Sequence, residues 1–238
     1  MPTDAAEPTP PFVLLLVGAE NVRRSPLAER LGAAHLVDVL GEDAAAAFRV
    51  VSAGTRAVAG APMDGDAALV LRGLGGDPAG FRAQPVSPDM VAAADLTLTM
   101  TRQDREDVLA LAPRHLARTF TLLEAYDLMC HLDSHGGEGE PAERARGTVS
   151  LLAAARTGRR VSEADDIPDP AGRSTRVHQE VGETVAGALL PVLDRLLGVP
   201  EEARSTPRRS AARRRPNRWW RRPGPWSEPL DRLVALHE

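Results

Sequence analysis

Two rhythms of hydrophobic and polar positions run through the chain. Phe12 to Val17 is a short, unbroken apolar run, the pattern of a strand buried on both faces of a parallel sheet. Strand-like runs recur at 48–52, 95–100 and 119–123. Between them the apolar spacing becomes helical. Residues 25–40 put Leu27, Leu31, His35 and Val39 on one stripe, and Pro26 suits a first helical turn, where its missing N–H costs nothing. Further helices are predicted at about 63–74, 102–111 and 173–197. Strands alternating with helices predict an α/β domain with a parallel sheet and right-handed crossovers. Ligands of such sheets bind outside the carboxyl ends of the strands, where Gly18 to Ser25 falls.

The flanks break this rhythm. Residues 1–10 are rich in Pro, Thr and Ala and are expected to be disordered. Residues 127–164 separate the fourth strand from the next motif and read as a helical insertion, with a flexible turn at Gly136-Gly137-Glu138-Gly139 and a helix from Glu143 to Arg160. The domain itself is expected over 11–198, with a tail at 199–238. That tail holds nine Arg and no acidic residue between Arg204 and Arg222, and the three Trp (Trp219, Trp220 and Trp226) lie there or just after. Leu230, Leu233, Val234 and Leu236 suggest a short terminal helix. From Glu201 onward the charge is about +5, against a whole-chain charge of -4, so the preceding part carries about -9.

Composition narrows the class. The 238 residues suit one medium domain plus extra segments, and 43% hydrophobic residues supply a core although only 3% are aromatic. Every basic side chain other than His is Arg, which reads as codon bias rather than function. The single cysteine, Cys130, excludes an internal disulfide framework and a cysteine-based zinc site. The apolar run near the start is too short to span a membrane and lacks a basic segment before it, so a cytoplasmic protein is expected.

The chemistry concentrates after the first strand, where Gly18-Ala19-Glu20-Asn21-Val22-Arg23-Arg24-Ser25-Pro26 joins strand to helix. Other motifs follow in order: Ser52-Ala53-Gly54-Thr55 after a strand, Gly60-Ala61-Pro62-Met63-Asp64 before a helix, Ala94 to Thr101, and Asp166-Ile167-Pro168-Asp169-Pro170-Ala171-Gly172-Arg173-Ser174. Together, from about residue 11 to 197, they resemble the low-molecular-weight protein tyrosine phosphatase family. The resemblance implies a three-layer α/β/α fold with a four-stranded parallel sheet. It also implies a phosphate cup made of Gly18, Ala19, Glu20, Asn21, Val22, Arg23, Arg24 and Ser25. In the family, inward N–H groups, a helix dipole and a guanidinium hold the anion. Arg24 matches that guanidinium and Asp169 the acid that protonates the leaving group. Asn21, Ser25 and Ser52 match residues that hold the loop's shape.

The family nucleophile is a cysteine six positions before the loop arginine, and six positions before Arg24 stands Gly18. A glycine cannot form the cysteinyl-phosphate intermediate. Glu20 replaces a family glycine, which adds a carboxylate that repels phosphate and puts a side chain where the family backbone favours none. Arg23 replaces a second family cysteine and either pairs with Glu20 or adds anion affinity. Phe81-Arg82-Ala83-Gln84-Pro85 departs from the family's Arg-Gln ending, and Ala171 stands where many relatives carry a Tyr wall.

The leading expectation is therefore a pseudophosphatase that binds phosphate or a phosphorylated residue without cysteine-dependent turnover. Two alternatives stand beside it: an active phosphatase with an unusual nucleophile or water, and an interaction module acting through its tail on nucleic acid or an anionic membrane. Asp169-Pro170 also suits a plain turn and helix start. His131 and His135 share a helical face, but Gly136-Gly137 follows and no third ligand is evident, so no metal site is expected. No cofactor is implied. His35 and His178 read as partly buried packing residues, and the sequence sets no oligomeric state.

Overall fold

The computed structural model describes residues 10–132, 137, 139–160 and 162–199. The expected disordered start, His135 and the Arg/Trp tail beyond Val199 lie outside the described residues. The order of elements is β1 (Phe12–Gly18), α1 (Arg24–Leu40), α2 (Glu42–Ala45), β2 (Phe48–Gly54), α3 (Gly65–Gly73), α4 (Pro88–Ala93), β3 (Leu96–Thr99), α5 (Arg102–Leu111), β4 (Thr119–Thr121), α6 (Leu122–Cys130), α7 (Pro141–Ala155) and α8 (Thr175–Leu196). Short 3-10 turns occupy Pro113–Arg118 and Glu163–Asp165.

The strands form one parallel sheet in the order β2-β1-β3-β4. β1 is central because its side chains are apolar on both faces. Leu14 and Leu16 point into the large core shared with α1, α3, α6, α7 and α8, while Leu15 and Val17 join Val91, Ala94 and Val108 beneath α4 and α5. This alternation by two gives the three layers. β1 pairs β2 from Phe12↔Phe48 to Gly18↔Gly54 and pairs β3 from Leu14↔Leu96 to Val17↔Thr99. The chain visits β2 on one side of β1 and then β3 on the other, so the end of β1 is a topological switch point.

One expectation needs correction at β4. The strand stops at Thr121, and Leu122-Leu123, which read as strand, begin α6. A capping box turns the chain there: Thr121 Oγ1 accepts from the Glu124 N–H at 3.1 Å, and Glu124 Oε2 accepts from the Thr121 N–H at 3.3 Å. Helix α4, absent from the sequence reading, is started by Ser87, which accepts from the Met90 N–H, with Pro88 in its first turn. The helix expected at Glu143–Arg160 is α7, which begins at Pro141 and ends at Ala155. Among the described residues no helix is long and apolar enough to cross a membrane.

Candidate phosphate cup

Beyond Gly18 the chain turns through residues 19–23 and enters α1 at Arg24. The carbonyls of Gly18, Ala19 and Val22 accept from the Thr55, Arg56 and Asp64 N–H groups at 2.9, 2.7 and 2.8 Å. The loop's carbonyls are thereby turned outward onto the neighbouring turns. Gly54 permits this closeness, since a Cβ there would lie 2.6 Å from the Ala19 carbonyl oxygen. Among the described residues the amides from Ala19 to Ser25 donate no hydrogen bond. Unpaired N–H groups at a helix N-terminus favour an anion.

Asn21 is the keystone of the loop. It is the single non-glycine residue of positive φ (55°) among the described residues, a conformation asparagine tolerates better than most. Its Nδ2 donates to Ser25 Oγ at 3.1 Å and to Ser52 Oγ at 2.8 Å, and its Oδ1 accepts from the Gln84 N–H at 2.9 Å. Ser52 Oγ donates onward to Glu29 Oε2 at 2.5 Å. Gln84 Nε2 donates to the Ser52 carbonyl at 2.9 Å. Burial pushes the Glu29 carboxyl above its ordinary value, against the hydrogen bond from Ser52 and the charge of Arg30. The backbone conflict expected at Glu20 does not arise, because the left-handed residue is Asn21. Asn21→Ala is expected to lose about 2–4 kcal/mol of stability, since it removes buried hydrogen bonds and the favoured left-handed residue together. Thermal and denaturant unfolding would measure this; a loss below about 0.5 kcal/mol would contradict the keystone role.

At the nucleophile position the floor is bare. A Cβ on Gly18 would meet Ser25 Oγ at 3.2 Å and Met100 Cγ at 3.5 Å, and Gly18 has no left-handed φ. The site thus accepts an L side chain with a shift of a few tenths of an ångström, beside the hydroxyl that Asn21 holds. Cys130, exposed at the end of α6, is no substitute. α6 starts at the carboxyl end of the sheet and carries Cys130 roughly 13 Å away along its axis. Beyond it, the Leu132 carbonyl accepts from Arg195 in the last turn of α8.

Arg24 is 7% exposed, and both terminal nitrogens of its guanidinium bond within the molecule. Nη1 donates to the Ile167 carbonyl at 2.5 Å and Nη2 to Asp169 Oδ2 at 2.9 Å. Arg23 donates through Nε to Asp169 Oδ1 at 2.9 Å and through Nη2 to Glu20 Oε2 at 2.5 Å. The open alternative for Arg23 therefore resolves toward pairing with Glu20, with Asp169 added. Asp169 takes both arginines and also caps its own turn, accepting from the Ala171 N–H at 3.1 Å. Burial pushes the Asp169 carboxyl up, but the hydrogen bond from Arg23 and the charges of Arg24 and Arg23 outweigh it, so it sits below the ordinary carboxylate value. Burial lowers the Arg24 pKa, partly offset by Asp169 and by buried Asp104.

The acid loop is fixed from behind. Asp166 accepts from the Arg102 N–H, Nε and Nη2 at 2.7, 3.1 and 3.0 Å, and the Ile167 N–H donates to the Met100 carbonyl at 2.9 Å. With Asp169 in place, residues 18–25 enclose a cavity of only about 10 Å³, room for about one water. The cup carries its own carboxylate as an internal anion.

Sequence reading named the eight loop residues and Asp169, which line this cavity together, and Ser52, which bonds Asn21 behind it. It gave no role to Glu29 or Gln84, which come to Ser52 from α1 and from the turn before α4. Ala171 is exposed and forms no wall. His131 bonds the Asp127 carbonyl through Nδ1 at 2.8 Å at the end of α6. His35 Nε2 meets Asp194 Oδ1 at 2.8 Å, which joins α1 to α8 rather than merely filling space.

Comparison with known proteins agrees with this geometry. A family model described as low molecular weight phosphotyrosine protein phosphatase matches residues 13–135, which covers the cup but ends before Asp169. Probable low molecular weight protein-tyrosine-phosphatases EpsP of Ralstonia nicotianae and Ralstonia solanacearum are 31% and 32% identical over 117 residues, 48% of this chain and 74% of theirs. Among solved structures, a YwlE mutant from Bacillus subtilis superposes with TM-score 0.57 at 20% identity, covering 78% of this chain and 98% of that one. The low molecular weight protein tyrosine phosphatase from T. tengcongensis gives TM-score 0.54 at 25% identity, with 76% and 97% covered. Vibrio vulnificus Wzb in complex with benzylphosphonate gives 0.53 at 20%, with 77% and 97% covered. By sequence over half its length, and by a parallel sheet in the same arrangement, this chain belongs to the low molecular weight phosphotyrosine protein phosphatase family.

Proposed function

We propose that the protein is a pseudophosphatase: it binds phosphate or a phosphorylated side chain in the cup and does not turn it over through a cysteine. The observation that carries this reading is Gly18, bare beside a Ser25 hydroxyl held by an otherwise intact loop network. Backbone donors and two arginines favour an anion, and among the described residues no cysteine lines the cup. Entry requires exchange, because Asp169 occupies the arginines. A phosphate brings more charge and more acceptor oxygens than a carboxylate, and so competes for the same guanidinium groups. Bound in this way, the protein would shield a phosphosite or compete with an active phosphatase.

Phosphate or vanadate at about ten times its dissociation constant is expected to raise the melting temperature by about 3–6 °C. Arg24→Ala should abolish the shift. No shift at any attainable phosphate concentration, or an equal shift in Arg24→Ala, would remove the cup as a binding site.

A further inference from the structure

We infer that the first turns of α3 and α8 form a site for a divalent transition cation, held by Asp64, Asp66 and His178. One ligand atom from each lies within 4.8 Å of the other two. The two helices meet closely because Gly182 on α8 has no side chain: a Cβ there would lie 2.4 Å from Val70 Cγ1 of α3. His178 is one turn before Gly182 on the same face, which carries its ring to the start of α3.

The imidazole points to a ligand independently of the carboxylates. His178 is 4% exposed, and its Nδ1 is buried with no hydrogen-bond partner among the described residues. A buried ring nitrogen without a partner is unfavourable and rare. Asp64 Oδ1 lies 3.8 Å from that nitrogen, too far for a hydrogen bond. It is close to the roughly 3.3–3.6 Å that separates two ligands on one tetrahedral ion with bonds of 2.0–2.2 Å. Both carboxylates are oriented. Asp64 caps α3, its Oδ1 accepting from the Asp66 and Ala67 N–H groups at 3.0 and 3.2 Å. Asp66 Oδ1 accepts from Thr175 Oγ1 at 2.8 Å. One imidazole and two carboxylates suit Zn²⁺ or Mn²⁺ rather than Mg²⁺.

The site stands apart from the anion cup but is coupled to it. The Asp64 N–H holds the Val22 carbonyl of the cup at 2.8 Å, and His178 sits at the start of the helix that follows the acid loop. An ion there ties the cup's outer wall to the base of the segment bearing Asp169.

Zn²⁺ titrated into the metal-free full chain by calorimetry is expected to bind one ion per chain and raise the melting temperature. His178→Gln and Asp66→Asn should each weaken binding at least about tenfold and remove the thermal shift. His131→Gln should leave both unchanged. Asp66→Asn keeps the test open if His178→Gln fails to fold, and Mg²⁺ should not substitute for Zn²⁺. Absence of stoichiometric Zn²⁺ binding, or binding that persists unchanged in Asp66→Asn or in a folded His178→Gln, would overturn the site.

Discussion

Gly18→Cys/Glu20→Gly is expected to hydrolyse an aryl phosphate at least about a thousandfold faster than the natural protein. Removing a nucleophile from an otherwise intact site costs a factor of that order or more, so restoring one should return it. The geometry permits the restoration. A Cβ at Gly18 fits with a few tenths of an ångström of adjustment, and its thiolate would sit beside Ser25 Oγ at the N-terminus of α1. A helix N-terminus and nearby arginines lower a thiol's pKa and make the thiolate available near neutral pH. Glu20→Gly removes the carboxylate that draws on Arg23 at the cup's mouth. The single variant Gly18→Cys should show an intermediate gain, because Glu20 is half exposed and its repulsion is screened by solvent. Stopped assays for phosphate release would measure both. A folded double variant that binds phosphate but stays inert would show that more than the nucleophile has been lost.

Asp169→Asn is expected to move two properties in opposite directions. Phosphate should bind about tenfold or more tightly, because the cup no longer has to expel its own carboxylate before taking a ligand. Stability should fall by about 1–3 kcal/mol, between the cost of losing an exposed ion pair and that of breaking a buried one, as suits an Asp169 side chain that is 33% exposed. Asn retains the turn with the Ala171 N–H, so the acid loop keeps its local shape. The pH dependence has a definite sign. The folded pKa of Asp169 lies below the ordinary 3.8, so its contribution is full above that value and is lost as pH falls through the lower folded one. The natural protein should lose stability across that acid range more steeply than Asp169→Asn. Calorimetry with phosphate and acid-range melting curves would check both; weaker phosphate binding in the variant would show that Asp169 assists the anion rather than competing with it.

The sequence revealed what is local. An unbroken apolar β1, the run Asn21 to Ser25 and Pro26 in the first turn of α1 all lie within one stretch of chain, and they specify a strand, loop and helix by backbone rules alone. Contacts that cross the fold were hidden. Glu29 and Gln84 reach Ser52 only after α1 and β2 have packed, and nothing in their neighbouring residues marks them. Arg24 stood out in the sequence as the loop arginine, but its engagement by Asp169 depends on Arg102 fixing Asp166 far along the chain. Leu122-Leu123 was misread because a short apolar run suits a strand or a buried helix equally. The deciding signal, Thr121 with Glu124, was present in the sequence. His178 was placed as a packing residue because its neighbours at Asp64 and Asp66 belong to a different helix.

The most direct measurement is phosphate release from an aryl phosphate by the natural protein, run beside Arg24→Ala under identical conditions. The expected result is that the two are indistinguishable, both at the background rate, because Gly18 offers no nucleophile for Arg24 to assist. Turnover by the natural protein that Arg24→Ala abolishes would contradict the pseudophosphatase reading and require a nucleophile other than residue 18.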